Sequence, residues 1–155
     1  MKIDQNAEYS KENLMHFQGE ISRNQMHKLL ESLNEHIAQN NARSMGSYIV
    51  CIHTLNIESR TADIEIFISV DRRIADSMNF RFVEKFNLEN CLLTQSRGDK
   101  ILLPEVYTKM YHYSVKEGLE IEQPFYVVSN NCPSEILGLQ TQDVDIYVRL
   151  RDATE

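Results

Sequence analysis

The chain writes one strand twice. "DIEIFISV", Asp63 to Val70, returns as "DVDIYVRL", Asp143 to Leu150, with a carboxylate and then an aromatic residue at the same steps of the pleat. The segments leading into each copy also repeat. "FQGEIS" (Phe17 to Ser22), a helical pattern and "GSYIVCIHT" (Gly46 to Thr54) precede the first; "SRGDKI" (Ser96 to Ile101), a helical pattern and "QPFYVVS" (Gln123 to Ser129) precede the second. The step from Gly19 to Glu65 differs by one residue from that between Gly98 and Asp145. Self-similarity at a fixed offset marks a duplicated structural unit, here with repeats at about 15–72 and 91–151.

Met26, Leu29, Leu30, Leu33 and Ile37 recur at helical spacing and predict a first helix from about Ser22, a fitting N-cap, to Gln39. The second opens at Pro104, which suits a first helical turn, and stops at the "KEG" of Lys116 to Gly118. Strands lead into the helices at "MHF" and "LLTQS", while the connector 71–90 contains "FRFVEKF", which extends a strand or forms a short helix. Each half thus reads strand, helix, strand, strand. The expectation is an α+β fold: duplicated units, an antiparallel-rich sheet with two helices on one face, and pseudo-twofold symmetry. No Pro-rich or low-complexity linker parts the halves, so residues 1–155 are expected to be one domain.

Side chains alternate across a strand. Ile64, Ile66, Ile68, Val70 and Val144, Ile146, Val148, Leu150 form the rows that pack under the helices. The opposite rows hold Glu65, Phe67, Ser69 and Asp145, Tyr147, Arg149, each an acid, an aromatic and a polar residue. Tyr48 and Tyr126 on the neighbouring strands complete a candidate ligand surface. Rings supply apolar and cation-π contact, and an acid adds charge for a cationic or hydrogen-bond-donating ligand. From spacing alone the simpler account is that the two acids are ordinary outward residues of a half-solvated sheet.

Composition narrows the partners. With 23 acidic and 16 basic side chains the chain carries a formal charge of -7, which repels phosphate backbones and anionic headgroups. Nucleic acid and membrane are therefore not expected. There is no apolar leader in "MKIDQNAEYSKENLMHF", and a cytoplasmic location is expected. Cys51, Cys91 and Cys132 have no metal-ligand or disulfide spacing, and Cys51 reads as a core thiol. His16, His27, His36, His53 and His112 lack metal-helix spacing; His53 and Cys51 share a strand face without a third group to make a catalytic pair. "YTKMYHY" is a helix face, and "RGD" a chance tripeptide. No cofactor is expected.

These features together resemble the GyrI-like small-molecule-binding domain, found alone and as the effector domain of AraC-type and multidrug-responsive bacterial regulators. The "GE" and "GD" before each helix, "GSYIV" and "PFYVV" after, and the acid-aromatic final strands carry the likeness over about Met15 to Arg151. It implies a non-enzymatic protein with an aromatic groove between the halves, lined by Tyr48, Phe67, Tyr126 and Tyr147, for a hydrophobic, cationic small molecule. Asp145 matches the position of the family's ligand acid, usually Glu, and Glu65 is its counterpart. Arg149 stands where the family often has proline and is a candidate partner for Asp145. No helix-turn-helix segment precedes the repeats, so a stand-alone binder, monomer or homodimer, is expected. A module acting on a single protein partner is the alternative, which the polar tail "RDATE" also fits. Hydrolysis is a minor possibility, with Glu65 as general acid.

Overall fold

The computed structural model describes residues 2–56, 58–130 and 140–151. The elements in chain order are β1 (Ile3–Ser22), α1 (Met26–Gln39), β2 (Ser44–Asn56), β3 (Thr61–Val70), β4 (Arg81–Gln95), β5 (Ile101–Leu102), α2 (Leu103–Lys116), β6 (Ile121–Ser129), β7 (Gln140–Thr141) and β8 (Val144–Leu150). Cys132 and the end of the "RDATE" tail lie outside the described residues. The expected α+β architecture is present, with a strand-helix-strand-strand unit on each side of the connector.

The main sheet is antiparallel throughout, in the order β1, β3, β2, β6, β8, β4. Its centre is the β2–β6 pair, where Tyr48 to Cys51 meet Ser129 to Tyr126. The register is that of a pseudo-twofold axis. Cys51 faces Glu65 as Val128 faces Asp145, and Ile49 faces Phe67 as Tyr126 faces Tyr147. Gln18 and Gln95 sit opposite the two acids from the flanking strands.

One core lies between the sheet and the helices. Met26, Leu30, Leu33 and Ile37 of α1 and Leu103, Val106 and Met110 of α2 pack on Ile64, Ile66, Ile68, Val70, Val144, Ile146 and Val148. Those strand residues are the apolar rows read from the sequence. α1 is entered through a 3-10 turn, Arg23–Gln25, in which Gln25 Oε1 accepts from the Ser22 backbone N–H at 2.8 Å. Pro104 occupies the first turn of α2, where no N–H is needed.

A second core lies on the other face, which the sequence suggested was an open surface. Leu14, Ile49, Cys51, Phe67, Phe86, Leu88, Cys91, Tyr126, Val128 and Tyr147 are all buried there. The cause is the length of two strands. β1 runs for 20 residues; it pairs with β4 along Ile3 to His16 and with β3 along Leu14 to Ser22, so the sheet closes on itself. Strict alternation would put Lys11 and Phe86 on the opposite face from Leu14 and Val83. Phe86, Leu14 and Val83 nonetheless belong to the same interior, and Asn13, next to Leu14 on β1, takes a left-handed conformation, φ 58°. Further along, Asn6 and Asn90 are also left-handed, beside the register shifts from Asp4 to Tyr9. Asparagine adopts this region more readily than other non-glycine residues.

Two stability measurements test this account. Asn13→Ala should lower unfolding free energy by about 1 kcal/mol, whereas Asn13→Gly should leave it level or higher, both read from urea melts. Leu33→Ala, at a fully buried site beneath the helices, should cost about 3 kcal/mol.

Candidate functional site

The interior behind the sheet is lined by rings. Phe86 stands at its centre, with centroid distances of 4.9 Å to Phe67, 5.5 Å to Tyr126 and 6.4 Å to Tyr9. Tyr9 reaches on to Tyr147 at 5.5 Å. Five strands thus each contribute one aromatic residue, and Phe67, Phe86, Tyr126 and Tyr147 are each less than 10% exposed. Offset and tilted contacts of this kind add to the stabilisation from burial itself. Burial raises all three tyrosine hydroxyls, Tyr147 to about 12, with the neighbouring Asp145 charge adding to its shift.

Of the six residues expected at the site, Phe67, Tyr126 and Tyr147 are in this interior and Glu65 and Asp145 border it. Tyr48 is not. It shares the pleat of Val50 and packs on the helix side of the sheet, because the groove face of β2 is Ile49, Cys51 and His53. Tyr126 is therefore matched across the pseudo-axis by Ile49, not by a second tyrosine. Nor do the two acids converge: β3 and β8 are separated by β2 and β6.

Glu65 is gripped by two histidines. Its Oε1 lies 2.8 Å from His16 Nε2 on β1, and its Oε2 lies 2.6 Å from His53 Nε2 on β2. An ionised carboxylate only accepts, so both imidazoles donate. The His16 ring also lies against Phe67, centroids 4.5 Å apart. These hydrogen bonds, His16's foremost, outweigh partial burial and hold the Glu65 carboxyl below its ordinary range. Beside His16 opens a groove of about 400 Å³ lined also by Phe17, Gln18, Met78, Asn79 and Arg81.

Asp145 has a different partner from the one expected. Arg97 Nη2 donates to its Oδ1 at 2.7 Å and Gln95 Nε2 to the same oxygen at 3.2 Å. Arg97 is itself anchored on the Ser96 and Val144 carbonyls. Arg149, the candidate partner, instead donates to the Tyr126 hydroxyl at 2.9 Å and lies 5.2 Å over its ring. A recess of about 220 Å³ at this end is lined by Tyr9, Lys11, Ser47, Arg97, Asp143 and Asp145, among others.

Sequence reading missed Tyr9, His16, His53, Phe86 and Arg97. Phe86 lies within "FRFVEKF", and the long pairing of β4 with β1 is what the sequence does not announce. The two described thiols add no nucleophile: burial pushes Cys51 well up, reinforced by the Glu65 charge, and pushes Cys91 up to about 11, so both stay protonated at neutral pH. Among the described residues no group of three His, Cys, Asp or Glu side chains is arranged to hold a metal ion, and no helix is long and apolar enough to cross a membrane.

No protein-family model matches the chain, and no curated protein does. Solved structures do. The EcmrR C-terminal domain superposes with a TM-score of 0.58 at 10% identity, over 97% of this chain and 99% of that one. EcmrR in a DNA complex superposes with a TM-score of 0.60 at 9% identity, over 96% of this chain; the chain spans 57% of its length. SAV2435 bound to tetraphenylphosphonium gives 0.45 at 12% identity, over 97% and 93%. The chain has the fold of the EcmrR C-terminal domain, in keeping with the GyrI-like resemblance carried by its two repeats.

The carboxylate grip has a pH signature. A carboxyl held below its unfolded value stabilises the fold above the ordinary carboxylate range, and the contribution disappears as pH falls through the folded value. Glu65→Gln should therefore lose on the order of 1 kcal/mol at neutral pH. The gap to the parent protein should narrow below about pH 4, as read from urea melts at pH 7, 5.5 and 3.

Proposed function

We propose that the chain is a non-enzymatic protein that binds a hydrophobic small molecule within its aromatic interior, in a regulatory, sensing or sequestering role. The observation that carries this reading is the meeting of Tyr9, Phe67, Phe86, Tyr126 and Tyr147 in one compartment bordered by two acids at equivalent positions. Apolar sites with a few placed polar groups are the usual form of small-molecule pockets. The fold shared with the EcmrR C-terminal domain supports the reading. A ligand enters by displacing Phe86, whose strand pairs there with β1 alone, as Lys11 opposite Phe86 shows. We further read residues 1–155 as one domain acting in the cytoplasm. DNA is a partner of EcmrR; for this chain a charge of -7 opposes it.

Catalysis is disfavoured by the same geometry. A general acid near neutrality needs a raised carboxyl pKa, whereas Glu65 is lowered. Among the described residues the thiol nearest it, Cys51, is protonated and not activated.

The second reading is a module for a single protein partner. It is favoured by the burial of the rings, which already fill the interior. Phe86→Ala separates the two. It should cost about 3 to 5 kcal/mol of stability yet tighten binding of rhodamine 6G, a hydrophobic cation, relative to the parent protein, because the ring no longer has to leave. Absence of dye binding to both proteins, measured by fluorescence anisotropy, would remove the small-molecule reading and leave the protein partner.

A further inference from the structure

The two pseudo-equivalent acids differ in what neutralises them. Asp145 is paired with Arg97, and a guanidinium is a permanent cation in proteins. Lys11 lines the same recess. That end offers no net negative charge to a ligand. Among the described residues Glu65 is held by His16 and His53, and histidine is the side chain whose charge ordinarily changes between pH 5 and 8. With both imidazoles neutral the trio carries one negative charge; with both protonated it carries one positive charge.

Several other charged groups surround the trio. Arg149 of β8 lies across Cys51 and Tyr126, and Arg81 of β4 lines the groove beside His16. Glu122 of β6 is opposite Arg149. Asp63 of β3 and Glu20 of β1 lie one pleat beyond Glu65 and Gln18. The Cys51 thiol and the Tyr126 hydroxyl have raised values and stay neutral. Glu65 itself stays ionised, its carboxyl being held down by the histidines. The charge at this end therefore follows His16 and His53.

Resting on the small-molecule reading above, we propose that Glu65, rather than Asp145, receives the cationic group of the ligand, and that protonation of His16 and His53 switches this end off. The rigid sheet supports such a role. The three residues come from the adjacent strands β1, β3 and β2, so the backbone pairing fixes the spacing from which both imidazoles reach the carboxylate. A groove of about 400 Å³ opens beside His16, one of the two imidazoles that hold Glu65.

The test is an anisotropy titration of the full chain with rhodamine 6G, permanently cationic, and Nile red, neutral, in steps from pH 8 to pH 5. Rhodamine 6G should lose about tenfold in affinity between pH 7.5 and 5.5, while Nile red stays level. The slope should shrink in His16→Gln and in His53→Gln, vanish in the double variant and in Glu65→Gln, and persist in Asp145→Asn. A level rhodamine profile in the parent protein, or a slope surviving the double variant, overturns the switch while leaving ligand binding standing. Failure of both dyes to bind at any pH overturns the small-molecule reading itself. Histidine proton resonances of the parent protein supply the check that needs no variant: His16 and His53 must both titrate between pH 5 and 8, and a failure of either to do so overturns the proposal.

Discussion

Everything on the far side of the sheet depends on three residues of β1 that pair on both edges at once. Leu14, Met15 and His16 meet Ser69, Ile68 and Phe67 on β3, and Val83, Phe82 and Arg81 on β4. Without that double pairing the sheet would have one dry face, against the helices, and one wet one. With it, a row that includes Phe67, Tyr126 and Tyr147 becomes a second core. Burying a large aromatic side chain contributes about 2 kcal/mol or more, so closing the sheet is favourable as well as functional in outcome.

The part of the fold set by alternation and periodicity was legible in the sequence. The rows from Ile64 to Val70 and from Val144 to Leu150, the apolar stripe of α1 and the pseudo-twofold register all follow from spacing, because local geometry dictates which side a residue takes. What escaped was non-local. "IDQNAEYSKEN" at Ile3 to Asn13 has too few apolar residues to announce a strand, and it is held by pairing with β4. Its ring, Tyr9, and the facing Phe86 were therefore absent from the expected site. Tyr48 shows the converse error. It lies on a strand next to Phe67, as expected, but on the pleat of Val50, so its ring falls on the helix side of the sheet.

The candidate acids illustrate how duplication preserves position while leaving chemistry free. Glu65 and Asp145 occupy equivalent steps of the register, yet one is held by imidazoles from β1 and β2 and the other by a guanidinium from the loop after β4. Two of these three partners are remote in the chain, His16 at 49 and Arg97 at 48 positions from the acid each meets, while His53 is 12 positions from Glu65. Arg149, close in sequence to Asp145, turns instead to a tyrosine hydroxyl on the neighbouring strand. Proximity along the chain was the weaker guide.

The left-handed asparagines that let the long strands bend have a consequence for the protein's surroundings. Among the described residues, β1 along Ile3 to Lys11 and β4 along Arg81 to Glu89 are paired on one side only, and a bare strand flank invites another chain to extend it. Here the flank is interrupted by irregularities near Asn6 and Asn90 and studded with Glu8, Lys11, Glu12, Glu84, Lys85 and Glu89. Bends and charges of this kind are how natural sheets resist amyloid-like growth. The feature that folds the arm over the interior thus also keeps its outer margin from seeding aggregates.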